Sequence, residues 1–227
     1  MSAPGTPSKK NQPYFTRKVV DKICLNALKQ VDLLPTTPSP VRIDAFVEKY
    51  FKIHPTYEAL PVGVLGFTEF SASGVSAMVI SSRLDDEGTK VAERRLRTTF
   101  AHEAGHGLLH TDLFNLGVKP VHLFEHDDPG PQILCRDEGE TGQTGYRGKW
   151  WEFQANLAIG GLLMPVALTL DAVKPFTEEH GLLGLPVLKD KQVAVQALAE
   201  IFDVNPVVAR IRLDELFGNA NDAQQSL

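Results

Sequence analysis

Only two cysteines, Cys24 and Cys135, occur in 227 residues. That is too few for the disulfide framework of a small secreted domain. No apolar run approaches the roughly 20 residues that a membrane span needs. The stretch MSAPGTPSKKNQPYFTRKVV carries no apolar signal-peptide core. A basic excess is missing as well: the formal net charge is −5, whereas nucleic-acid-binding domains are usually basic. These absences lead to the expectation of a soluble protein of a reducing cytoplasm. Hydrophobic residues at 43% and charged residues at 22% fit a packed globular chain.

Periodicity divides the chain. Residues 1–16, rich in Pro, Ser, Lys and Asn, read as a disordered tail. Arg17 to Leu34 has apolar residues at helical spacing and is ended by PTTPSP, and Val41 to Phe51 predicts a second, shorter amphipathic helix. PVGVLGFTEF and GVSAMVISS carry the Val, Ile and Phe of strands in a small sheet. Thr89 to about His110 predicts a long helix, and Thr111 to Lys149, full of Gly, Pro, Asp and His, a long loop. WWEFQANLAIGGLLMP predicts a helix stopped by Pro165. Two helices follow around a turn at Asp203–Pro206, and residues 220–227 read as a polar tail. The expected division is a main domain over 17–170 and a C-terminal helical, helix-turn-helix-like packing module over 171–219.

The chemistry concentrates in FAHEAGHGLLH, Phe100 to His110, which holds three of the seven histidines. His102, Glu103 and His106 form H-E-x-x-H. Four residues advance a helix by about 400°, so His102 and His106 face the same way one turn apart. Two such imidazoles can bind one zinc ion at roughly 2.0–2.1 Å. Glu103, about 100° around the helix, can reach a water beside the ion without ligating it and serve as a general base. Gly105 and Gly107 are poor helix formers. They allow another segment to approach closely, or they mark a weak, bent helix end before a loop.

A catalytic zinc usually has three protein ligands. His110 lies some 12 Å along the axis from His102, too far to share one ion, and reads as a packing or orienting residue. Asp112 has the spacing of a metzincin-type third ligand, but those sites need Gly where Leu109 stands. Glu152 is the preferred residue. It opens the next helix and shares a face with Asn156, whose side chain would orient a ligating imidazole. An acidic residue at a helix N-terminus is also favoured by the dipole alone.

RTTFAHEAGHGLLH and EFQANLAIGGLLMP together resemble the ImmA/IrrE family of HExxH metallopeptidases. Arg97, Thr99, Ala101, His102, Glu103, Gly105, His106 and His110 fit the first motif of that family. Glu152, Ala155, Asn156, Leu162, Leu163, Met164 and Pro165 fit the second, and Ala158–Ile159 stand where family members often have Phe-Ala. The resemblance runs over about Val41–Pro165. It implies an α+β, zincin-like fold, with His102, His106 and Glu152 as zinc ligands and Glu103 as the base. It further implies a protein substrate, often a helix-turn-helix repressor.

Other residues invite weaker readings. His122, Glu125, His126, Asp127 and Asp128 in HLFEHDD read as a solvated loop rather than a second metal site, and Tyr146 as a loop residue rather than an oxyanion donor. Cys135 is the least favoured candidate, a latent thiolate ligand. Trp150 and Trp151 read as core or pocket wall. Over Lys189 to Glu215 the net charge is −1, which suits packing better than phosphate contact. The expected function is zinc-dependent hydrolysis of a peptide bond. The alternative is a non-catalytic or DNA-binding regulator that retains a zincin scaffold.

Overall fold

Apolar residues at i, i+4, i+7 and i+8 make the first helix. In the computed structural model, which describes residues 15–115, 132–136, 150–180 and 185–218, α1 (Arg17–Gln30) buries Val20, Cys24, Ala27 and Leu28 on that stripe. The second helix, α2 (Ile43–Phe51), buries Ile43, Phe46 and Val47 and ends where Lys52 turns left-handed. The chain then enters a four-stranded sheet with β1 (Thr56–Glu58), β2 (Val64–Ser71) and β3 (Gly74–Ser81), joined later by β4 (Gln132–Arg136). The spatial order is β1-β3-β2-β4. β1 runs parallel to β3, and the other pairs are antiparallel.

Alternation along β2 turns Gly66, Thr68 and Phe70 inward. That face lies on α4 (Lys90–Asn115), reached through a short helix, α3 (Ser82–Asp86). Thr89 caps α4: its Oγ1 accepts from the Ala92 N–H at 3.1 Å. Against α4 also lies α5 (Trp150–Leu163), of which ten residues are buried. The two glycines of α4 stand where packing is tightest. A Cβ on Gly105 would come within 2.8 Å of the Ala158 Cβ and 3.1 Å of the Ala155 carbonyl oxygen. One on Gly107 would meet the Phe51 ring at 2.6 Å and Val75 at 3.0 Å. Close approach, rather than a frayed helix end, explains both.

Pro165 ends α5 as expected and serves as the N-cap of α6 (Val166–Val173). After a 3-10 turn at Lys174–Phe176 come a two-stranded hairpin, β5 (Thr177–His180) with β6 (Leu185–Leu188), and the helices α7 (Lys191–Phe202) and α8 (Pro206–Phe217). The last two helices are tied to the rest by buried arginines. Arg94 of α4 reaches Glu200 at 2.8 Å and Asp203 at 3.0 Å. Arg212 of α8 reaches Asp21 of α1 at 2.6 Å and donates to the Met164 carbonyl at 3.0 Å. Leu28, Phe46, Met78, Leu162, Leu198 and Leu213 belong to one core cluster.

The architecture is therefore mixed α+β, as expected, with a small sheet beside the histidine-bearing helix. Several elements differ from the reading of the sequence. The region after His110 is not all loop: α4 continues to Asn115 and Gln132–Arg136 pairs with β2. The segment after residue 170 contains a hairpin as well as helices. Among the described residues, no single helix is long and apolar enough to cross a membrane.

Candidate metal centre

The i, i+4, i+8 spacing of His102, His106 and His110 sets three imidazoles in a ladder along α4, all buried. Glu152 enters from the first turn of α5. His102 Nε2 and His106 Nε2 are 3.0 Å apart. Glu152 Oε2 lies 3.2 Å from the first and 3.6 Å from the second. A tetrahedral ion with bonds of about 2.0–2.1 Å places its ligand atoms about 3.4 Å from one another. The three separations bracket that value. Among the described residues these three form the group of side chains able to hold a metal ion.

The outer nitrogens fix the rings. His102 Nδ1 lies 3.0 Å from Asn156 Oδ1. An amide oxygen only accepts, so this contact places the His102 proton on Nδ1 and leaves Nε2 with its lone pair toward the centre. Glu152 and Asn156, on one helical face as their spacing predicts, thus both reach the His102 ring, one at each nitrogen. His106 Nδ1 lies 3.0 Å from His110 Nδ1. His110 Nε2 lies 3.2 Å from Gln154 Oε1.

Glu103 is fully buried and points toward the sheet. Its Oε2 accepts from Thr68 Oγ1 at 2.6 Å, and its Oε1 is buried without a partner among the described residues. Burial pushes this carboxyl up to about 7, against the pull of His102 and of the Thr68 hydroxyl. Burial holds His106 below the ordinary histidine value, and burial together with His106 pushes His110 down to about 3. Glu152 behaves oppositely. Burial would raise it, but the contacts with His102 and His106 hold it far below the usual carboxylate range. The carboxylate at the centre is charged while the base candidate sits near neutrality.

The other two candidates for a third ligand, His110 and Asp112, lie further along α4. His110 turns its Nδ1 to the back of His106, not to the convergence point. Asp112 lies on uninterrupted helix, about 15 Å along the axis from His102. The chain does not turn back at Leu109, as a metzincin-type ligand would require; the Asp112 side chain itself is outside the described residues. So are Tyr146, the HLFEHDD run and the side chain of Cys135. Trp150 and Trp151 pack with Phe70, and the Trp150 ring stands edge-on to His110 with centroids 5.5 Å apart.

Thr68 and Gln154 are the residues that motif reasoning passes over. Thr68 is detectable only as a polar residue on the inward phase of β2. Gln154 is one of few polar positions in an otherwise apolar helix. No protein-family model matches the chain, and no curated protein matches it.

Proposed function

We propose that the chain is a zinc-dependent metallopeptidase with a zincin-like fold, similar to ImmA/IrrE proteins, that hydrolyses a peptide bond in a cytoplasmic protein substrate. One observation carries the reading: three ligand-type atoms converge at ligand spacing, next along the helix to a buried carboxylate with one oxygen unpartnered among the described residues. Two imidazoles and a carboxylate suit zinc, and three protein donors are typical of a catalytic rather than a structural zinc.

Zinc bound there supplies Lewis acidity, lowering the pKa of a water to about 7 and polarising a carbonyl. The chain's own residues supply the proton transfers. Thr68 anchors one oxygen of Glu103 and so aims the other. Glu103 Oε1 takes a proton from the attacking water and returns it to the leaving amine. A carboxyl tuned to near neutrality suits both steps. Asn156 holds the His102 ring, and Glu152 offsets part of the ionic charge.

The substrate proposed on the resemblance is a helix-turn-helix repressor, cut in an exposed linker, since extended chain yields to a peptidase where folded domains resist. The net charge of −5 would steer a basic partner. The test combines metal analysis with cleavage. About one zinc per chain and chelator-sensitive cutting of a helix-turn-helix repressor at one linker are expected. Glu103→Gln should keep the zinc and lose the cutting. Binding that releases the repressor from DNA without a cut, unchanged in Glu103→Gln, refutes hydrolysis in favour of a regulator.

A further inference from the structure

The ring of His106 can serve the proposed metal centre only in one protonation form, and two residues outside the centre select it. His106 Nε2 faces His102 Nε2 at 3.0 Å and Glu152 Oε2 at 3.6 Å. To be a ligand it must offer a lone pair there, so the ring proton must sit on Nδ1. That Nδ1 lies 3.0 Å from His110 Nδ1. Two imidazole nitrogens in hydrogen-bond contact need one donor and one acceptor. His110 Nδ1 must accept, which places the His110 proton on Nε2. At 3.2 Å from that nitrogen is Gln154 Oε1, an atom that only accepts. Read from its far end, the chain of contacts has a single direction. Gln154 accepts from His110 Nε2–H, and His110 Nδ1 accepts from His106 Nδ1–H.

We infer that His110 and Gln154 are positioning residues that set the tautomer and ring angle of His106, and through it the metal affinity of the site. The inference rests on the metal centre proposed above. The placement explains both residues. His110 is wholly buried, one turn beyond His106. It is seated against Trp150 and Gln154, an i, i+4 pair on α5, as His102 is served by the Glu152–Asn156 pair. With Ala155 at the helix contact, Glu152 and Asn156 stand about 60° and 100° to one side of it and Gln154 about 100° to the other. The outer nitrogens of the two rings thus meet an amide in one case and an imidazole backed by an amide in the other.

The experiment measures zinc dissociation constants by chelator competition, so it needs no activity. His110→Gln and His110→Phe remove the acceptor from the Nδ1 position and should weaken zinc binding by about 10–100-fold. His110→Asn places an amide oxygen near that position and should restore affinity to within about threefold of the unaltered protein, a rescue that a purely packing histidine would not give. Should the His110 variants fail to fold, nitrogen-detected NMR of the unaltered protein reads the tautomers directly. His106 is expected as the Nδ1–H form and His110 as the Nε2–H form. Unaltered zinc affinity in His110→Gln and His110→Phe, or a His110 proton on Nδ1, overturns the inference alone. Absence of zinc binding by the unaltered protein overturns the metal centre and this inference with it.

Discussion

Gly105→Ala separates the packing of α4 from the chemistry it carries. In the helix interior the change gains about 1 kcal/mol of intrinsic propensity. The new methyl, however, would sit 2.8 Å from the Ala158 Cβ and 3.1 Å from the Ala155 carbonyl oxygen. Carbon atoms settle at about 3.5–4.0 Å, so the two helices must part by about 1 Å. Overpacking of this kind costs roughly 1–3 kcal/mol, which leaves a net loss of stability of about 0–2 kcal/mol. The proposed metal centre is less forgiving. Glu152 and Asn156 ride on α5 beside Ala155, while ligand distances must hold to about ±0.2 Å. A shift of about 1 Å should therefore weaken zinc binding at least about tenfold even where the fold survives. Gly107→Ala is the contrast. Its methyl meets the far end of the Phe51 ring and a methyl of Val75, neither of them on α5. It should lower stability while largely sparing the metal. Urea unfolding in chelator gives the first quantity, and chelator competition gives the second. A Gly105→Ala protein that binds zinc as tightly as the unaltered one would refute the claim that this helix contact sets the ligand geometry.

Glu152→Ala should abolish most zinc affinity, whereas Asp112→Ala should leave it unchanged; the opposite pattern in metal analysis would restore the metzincin-like assignment. Thr68→Val removes the hydroxyl that favours ionised Glu103. The acid limb of the pH–rate profile for peptide hydrolysis should then move up by about one unit, and an unmoved limb would deny Thr68 its role. For metal-free protein the pH dependence has a definite sign. His106 and His110, held neutral by burial, contribute stability that is full above 6.5 and is lost as pH falls through their lowered values. Glu103, raised to about 7, contributes stability that is lost as pH rises above 4.5. Over pH 4.5 to 6.5 His110 and Glu103 oppose one another and His106 adds to the histidine side, so stability should rise with pH across that range. Urea midpoints in chelator that fall over that range would contradict it.

The legible parts of the chain are those where one period dominates. Val20, Cys24, Ala27 and Leu28 make α1 readable, and alternation through Thr68 and Phe70 makes β2 readable. The H-E-x-x-H spacing places His102 and His106 because helical geometry alone aligns them. Glu152 required a second motif, since nothing local distinguishes a ligand from a dipole-favoured carboxylate. The elements missed are short or exposed. β1 is three exposed residues held by pairing with β3, and β4 is five residues between Pro131 and a polar run. Pro165 was legible as a stop, but a proline that ends one helix can begin the next. Thr68 and Gln154 have no pattern of their own. Their partners stand 35 and 44 residues away in sequence, and only the fold brings them together.

The helix α5 shows why site and fold cannot be divided into separate tasks. Gly161 lies under Cys24 of α1, Gly160 under Arg212 of α8, and Ala155 and Ala158 lie against Gly105 of α4. A helix packed this closely on three sides cannot rotate or slide to relieve its polar residues. Two ring nitrogens and a carboxylate oxygen converge there at 3.0–3.6 Å. The arrangement persists because the small-residue contacts fix the backbone and because Asn156, His110 and Gln154 hold the rings from behind. Preorganisation of this kind shifts the cost of assembling the site from metal binding to folding. A cation bound there should therefore stabilise the whole packing of α4, α5, α1 and α8 as one unit, by an amount that grows with the logarithm of its concentration over its dissociation constant. Glycines at 105, 160 and 161 are, on this account, as much a part of the metal centre as the residues that would touch the ion.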